Sequence, residues 1–276
     1  MKGKMIKAIF LDVDGTIIST RTKKIPTSAT EAIGRARKAG VKVFLCTSRA
    51  KQFLSNIKNI ECDGTVALTG AHCIDAEGND IGCSRMDAGD IARALADVQR
   101  NDKAFVALSH DKVYLKHPEG PEIKDFLGTG GLTLDDIPGY VPDIPDFLAS
   151  DDPVKLAESM GILQVTGFFP SGEEDRRFMS LMPCSHTERW NERFVDIVGN
   201  GTSKAHGIDV MAAHFGFDVS ETMGMGDGAN DIPMIEHAAV GVAMGNASES
   251  VKSHADYVTD DVDDDGLAKA LDKYLF

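Results

Sequence analysis

Nowhere does the 276-residue chain gather the ~18 consecutive apolar residues that a membrane-crossing helix needs, which argues against a place in the bilayer. Its lysine-dotted opening, MKGKMIKAIFLDVDG, reaches only a short apolar stretch before two aspartates, too little for an export signal. Cysteines are few: Cys46, Cys62, Cys73, Cys83 and Cys184 form an odd set without CxxC spacing. A chain of this length folds without covalent staples, so reduced thiols in the cytoplasm are the plain expectation. Positive charge is scarce as well. Twenty-nine Lys and Arg against 43 Asp and Glu leave a net charge of −14, which opposes the counterion release on which nucleic-acid binding relies. The 42% of hydrophobic residues is enough to fill one large or two smaller cores.

What is present has a rhythm. MIKAIFL (5–11) is a short apolar run ending in Asp12-Val13-Asp14-Gly15, as expected of a buried strand that delivers a loop at its carboxyl end. Ser28 with Glu31 has the capping-box pattern, Ile33 and Ala36 continue a helical face, and Gly40 supplies a stop. VKVFLC (41–46) is a second buried strand, ending at Thr47-Ser48-Arg49. Strand, helix, strand with polar residues at both strand ends is a βαβ unit of a parallel sheet, and such sheets bind ligands at the carboxyl ends of their strands. The pattern returns late: Ser203 caps a helix over 204–215 closed by Gly216, followed by the loop GMGDGAND (224–231), a helix, strand-like GVAM (241–244), HADYVT (254–259) and a terminal helix. Between about 83 and 195 the texture changes to a helix pattern at 90–100, strand candidates FVALS, KVYLK and FMSLMP, and a loop carrying Pro138, Pro142, Pro145 and Pro153. The expected architecture is α/β: a doubly wound parallel-sheet core from 1–82 and 196–276, with an α+β domain inserted at 83–195.

Chemistry concentrates at the strand ends. Asp12 and Asp14 stand two apart before Gly15 and Thr16, and carboxylates so close need a metal ion or a shared proton to compensate. A second pair, Asp227 and Asp231, lies in GDGAND, where Gly224, Gly226 and Gly228 permit backbone conformations that bulkier residues resist. Four aspartates at one end of a sheet describe a site for a hard cation, and Mg²⁺ suits it. GMGDGA also satisfies the GxGxxA dinucleotide fingerprint, but Asp227 inside that loop would repel a pyrophosphate. Lys204 opens a helix, where a cation opposes the macrodipole unless an anion sits beside it. Thr47 offers a hydroxyl and a backbone N–H to the same region.

These four segments together resemble the haloacid dehalogenase (HAD) superfamily of phosphohydrolases, and GDGANDIPMI with the large insertion is similar to its Cof-type (class IIB cap) sugar-phosphatase branch. The resemblance implies a HAD-like core with a cap domain that sets substrate specificity, and a Mg²⁺-dependent phosphatase acting on small phosphorylated metabolites, sugar phosphates among them. By the same likeness Asp12 is the nucleophile that forms an aspartyl-phosphate and Asp14 the acid and base. Thr47, Lys204 and Asn230 would bind phosphate; Asp12, Asp14 through its carbonyl, Asp227 and Asp231 would serve the metal. The family's usual TGR is here Thr47-Ser48-Arg49, which alters the local backbone and puts a phosphate or substrate contact by Arg49 in question. A phosphomutase, and a non-catalytic protein that binds phosphorylated ligands on the same fold, are the alternatives. Neither nucleic acid nor membrane is an expected partner, and the sequence is silent on oligomeric state. Tyr114, Lys116, His117, Phe168, Arg176, Arg177 and His186 are candidates to face a ligand from the inserted domain. Asp261, Asp263, Asp265 and Gly266 imitate the start of a calcium loop, but the preceding HADYVT reads as strand, so a solvated acidic run whose last Asp caps the terminal helix is the expectation.

Overall fold

A computed structural model describes residues 5–54, 57, 60–137 and 139–276; Met1–Lys4, which open the lysine-dotted segment, and Pro138 lie outside the described residues. The chain forms two compact units, one of Met1–Arg49, Asn56–Gly82 and Ser203–Phe276, the other of Ala50–Ser55 and Cys83–Thr202.

The first unit opens with β1 (Ala8–Leu11), α1 (Thr27–Lys38), β2 (Lys42–Cys46), β3 (Gly64–Ala67), β4 (His72–Asp75) and β5 (Asp80–Cys83). The expected cap on α1 is absent: Pro26 precedes the helix without a side-chain bond, and Ser28 Oγ instead donates to Asp265 Oδ1 at 2.5 Å. The inserted unit follows with α2 (Ala88–Arg100), β6 (Phe105–Ser109), β7 (Val113–Lys116), α3 (Pro121–Thr129), α4 (Pro153–Met160), β8 (Ile162–Gly167), α5 (Glu173–Met179), β9 (Ser185–Glu188) and β10 (Val195–Gly199). The chain then returns through α6 (Lys204–Phe215), β11 (Thr222–Gly226), α7 (Ile232–His237), β12 (Val240–Ala243), α8 (Glu249–Lys252), β13 (Tyr257–Val258) and α9 (Gly266–Leu275).

The first unit's sheet runs β13-β12-β11-β1-β2-β3-β4-β5, parallel from β13 to β3 and antiparallel between β3 and β4. β1 lies at its centre with all four residues buried, as an uninterrupted apolar run demands of a strand covered on both faces. Beneath it Phe10 stacks on Phe44 with ring centroids 4.9 Å apart, in a core shared with Val66, Ile208 and Met211. Gly207 lets α6 press against β3, since a Cβ there would fall 2.1 Å from Val66. That contact sets the height of the start of α6 against the strand ends.

The inserted unit carries an antiparallel sheet, β7-β6-β8-β10-β9. Because β10 pairs with both β8 and β9, the chain leaves this unit at 202/203 and not at the 195/196 boundary read from the sequence. FMSLMP, expected as a strand, is instead the end of α5 and the turn after it. Three acidic residues in the first turn favour the helix, and Phe178 turns inward to within 5.1 Å of Phe169 and 6.1 Å of Phe105 between ring centroids. Phe53 joins the same unit through Phe126, which packs edge-on against Phe194 at 5.3 Å.

A buried carboxylate sits in this sheet. Asp196 accepts from Thr166 Oγ1 (2.6 Å) and Trp190 Nε1 (2.8 Å), both neutral, and burial pushes its carboxyl from the ordinary 3.8 up to about 6. The folded protein therefore takes up this proton at a higher pH than the unfolded chain. The resulting stability is complete below about pH 4 and is lost as pH rises through about 6. Asp196→Asn, whose amide satisfies the same two partners, is expected to raise stability at pH 7 by roughly 2–3 kcal/mol. Urea melts should show that gain vanishing at pH 4; an equal effect at both pH values would contradict it.

Candidate functional site

The carboxyl ends of β1, β2, β11 and β12 bring together most of the residues singled out above. Asp12 continues β1, with its N–H bonded to Met225 O of β11 at 2.9 Å, and is only 7% exposed. Lys204, the first residue of α6, is wholly buried; its Nζ donates to Asp12 Oδ1 at 2.6 Å and to Asp231 Oδ1. The anion that a cation at a helix start requires is thus a pair of carboxylates, and Ser203 caps the same helix by accepting from His206 N–H at 3.2 Å. Asp231, buried at the end of the turn Ala229–Asp231, spends its other oxygen on the N–H groups of Asp227 and Gly228, at 3.0 and 2.8 Å. This shapes the loop of Asp227.

The glycines of that loop act by their size, not by unusual dihedrals. None of the three has positive φ, but a Cβ on Gly226 would lie 2.3 Å from Asp231 Cγ. Gly15 is different: it has φ +90°, and a Cβ there would strike Asp227 Oδ2 at 2.1 Å, so the two acidic loops meet where only glycine fits.

Burial, reinforced by Asp231, pushes Asp12 well above the usual carboxylate range despite the nearby ammonium. The same two causes carry Asp227 up to about 7. Burial alone would lower the Lys204 ammonium, but Asp12 and Asp231 outweigh it and hold the group protonated. Three carboxylates against one ammonium leave an excess of negative charge in a dry place. Asp12, Asp227 and Asp231 each offer an oxygen within 4.8 Å of the others, a hard-donor set that suits a divalent cation. With both Asp231 oxygens already bonded, Asp12 and Asp227 are the carboxylates left with capacity, so Asp231 supports the set instead of completing it. The Thr16 hydroxyl, buried beside Gly15, has no hydrogen-bond partner among the described residues.

Other expected residues sit differently. Asp14 is half-exposed and turns to Arg49, which grips it with Nε at 2.7 Å and Nη2 at 2.5 Å. Thr47 is buried, but its N–H is spent on Val66 O at 2.8 Å, and only the hydroxyl, which accepts from Arg49 N–H at 3.1 Å, remains for a ligand. Asn230 is half-buried on the turn before Asp231. Asp265, expected to cap the terminal helix, precedes α9 in a left-handed conformation without capping it. Asn246, not anticipated from the sequence, donates through Nδ2 to Gly15 O (2.9 Å) and to Asp227 Oδ2 (3.0 Å). Its only sequence signal is a polar amide just past the carboxyl end of a parallel strand.

Central parallel sheet, inserted unit and the lysine-bridged carboxylates at the strand ends together define a class of α/β hydrolase. The chain belongs to the haloacid dehalogenase-like hydrolases, whose family profile matches residues 9–271. Its structure superimposes on that of BT1666, a HAD phosphatase from Bacteroides thetaiotaomicron, with TM-score 0.81 and 34% identity, covering 99% of this chain and 96% of that one. The HAD subclass IIB sugar phosphatase BT4131 is matched with TM-score 0.83 and 31% identity over 97% and 98% of the two chains. Pyridoxal phosphate phosphatase YbhA of Escherichia coli is 26% identical over 283 aligned positions, 98% of each chain. The protein is a phosphatase of the Cof-type, subclass IIB branch. No helix among the described residues is long and apolar enough to cross a membrane.

Proposed function

We propose that the protein hydrolyses phosphate monoesters of small metabolites, sugar phosphates foremost, through an aspartyl-phosphate on Asp12. The observation that carries this reading is the buried ammonium of Lys204 shared by Asp12 and Asp231 beside Asp227. A carboxylate can approach a phosphoryl group only where the facing negative charges are offset, and this cluster is built around that requirement. Mg²⁺, held by Asp12 and Asp227 with Asp231 behind them, would neutralise the phosphoryl oxygens when bound.

In the first step an Asp12 oxygen forms a bond to phosphorus, the ester P–O bond breaks, and Asp14 gives its proton to the departing alkoxide. In the second, water attacks phosphorus, Asp14 takes up its proton, and the P–O bond to Asp12 breaks to return the free carboxylate and inorganic phosphate. Asp14 must loosen its grip on Arg49 to reach the leaving oxygen. Lys204 holds Asp12 oriented; the Thr47 hydroxyl and Asn230 are the groups assigned to the phosphoryl oxygens.

The inserted unit is the part assigned to substrate choice. Of its seven candidates, Lys116 and His117 are both engaged by Asp102 (3.0 Å each), Arg177 by Asp97 (3.0 Å) and His186 by Glu188 (3.2 Å). A reducing, cytoplasmic setting agrees with an odd set of five cysteines that lacks CxxC spacing.

Phosphate release from a panel of sugar phosphates, nucleotides and cofactor phosphates tests the reading. Turnover with Mg²⁺ that disappears on chelation and in Asp12→Ala is the expected outcome. Activity that persists in Asp12→Ala would overturn the nucleophile, and a preference outside the sugar phosphates would overturn the substrate class.

A further inference from the structure

Past β12 the chain turns tightly, with Ala247 N–H bonded to Met244 O at 3.0 Å, and carries Asn246 over the carboxyl edge of the sheet. Three bonds fix its amide. Nδ2 donates to the Gly15 carbonyl (2.9 Å) and to Asp227 Oδ2 (3.0 Å), and Oδ1 accepts from Val262 N–H (3.0 Å). Two acceptors on one side and one N–H on the other leave a single consistent orientation.

We propose that Asn246 is a positioning residue that aims Asp227 at a divalent cation and ties it at fixed distance to the loop carrying Asp12 and Asp14. This rests on the reading of Asp227 as a metal ligand. Repulsion from Asp12 and Asp231 would otherwise swing the Asp227 carboxylate outward, since all three crowd one another within 4.8 Å. A neutral donor is the right chemistry for the restraint. Lysine would neutralise Asp227 and compete with the cation, and aspartate would add a fourth repelling carboxylate. An amide holds Oδ2 and leaves the charge and Oδ1 available. The tie to Gly15 O makes the restraint reciprocal: the Gly15 backbone, at φ +90° and with no room for a Cβ, is held against Asp227 by the same amide. Partners of this kind orient metal ligands in general, and their loss costs about 10–100-fold in metal affinity.

The third bond supplies the control. Val262→Pro deletes the N–H that Oδ1 accepts while keeping both Nδ2 bonds, and Asp261 before it, at φ −59° and ψ 153°, already has the backbone that a following proline demands. Calorimetric titration of the full-length protein with Mg²⁺ alone compares wild type, Asn246→Leu and Val262→Pro. The expected result is a Kd raised roughly 10–100-fold in Asn246→Leu and unchanged in Val262→Pro. With an aryl phosphate as substrate, Asn246→Leu should need correspondingly more Mg²⁺ for half-maximal rate yet recover most of its kcat at saturation. A merely structural role would lower kcat at every Mg²⁺ concentration. Should Asn246→Leu not fold, Asn246→Ser is measured in its place, with the same weakening expected. Wild-type affinity in the Asn246 variant would overturn the inference and leave the metal site standing, whereas a wild type that takes up no Mg²⁺ would overturn both.

Discussion

Asp12→Asn is expected to end turnover, lowering kcat on the order of 10⁴-fold or more, while leaving a protein at least as stable as the wild type. The two halves of that result have one cause. Asp12 is nearly inaccessible, and the burial and the neighbouring Asp231 that disfavour its charge are only partly offset by Lys204. The amide removes that buried charge without changing shape, and Lys204 keeps Asp231 as its partner, so no charge is orphaned. The amide oxygen cannot form the acyl phosphate, and removal of a nucleophile acts on this scale. Phosphate release and thermal melts of the two proteins check both halves. A large loss of stability would show that Asp12 serves the fold more than the reaction.

Lys204→Met should do the opposite to stability. It leaves Asp12 and Asp231 buried and facing one another beside Asp227, with no cation among them. Removing one partner of a buried charge cluster typically costs about 3–5 kcal/mol, and the activity should fall with it. The loss has a direction in pH. Without the ammonium the carboxylates take up protons in the folded state at higher pH than in the unfolded chain, so the variant should regain stability on acidification. Saturating Mg²⁺ should restore part of the stability at neutral pH through Asp12 and Asp227, but not the rate. Urea melts at neutral and mildly acidic pH with and without Mg²⁺ read all of this; a loss below about 1 kcal/mol at neutral pH would place the cluster in a wetter site than its burial indicates.

Much of this site was legible in one dimension because its residues stand at strand ends and helix starts, where local pattern and position in the fold coincide. The apolar run into Asp12 marks a buried strand, and β1 is that strand. Lys204 was the more informative residue, because a cation at a helix start is a local conflict that a nearby anion resolves, and Asp12 and Asp231 are the anions. The parts that stayed hidden depend on contacts far apart in sequence. Asn246 reaches Gly15 across 231 positions, and nothing in MGNAS distinguishes its amide from one that faces solvent. Ser28 had the cap pattern but found Asp265, 237 positions away. The apolar spacing in FMSLMP fits a strand or a helix end equally well, and the choice rests on Phe178 meeting Phe105 and Phe169. The return point of the insertion was misjudged because β10 is apolar like the core strands; only its pairing with β8 and β9 assigns it.

The central claim, a phosphoryl group carried by Asp12, is tested most directly by peptide mapping of the acid-quenched Asp14→Asn variant after reaction with an activated aryl phosphate. Such a substrate needs little help from a general acid to depart, and the missing base slows hydrolysis of the intermediate. The account predicts one phosphoryl group on the peptide containing Asp12, removable by hydroxylamine. Phosphate released with that peptide never modified, or a phosphoryl group on any other residue, would contradict it.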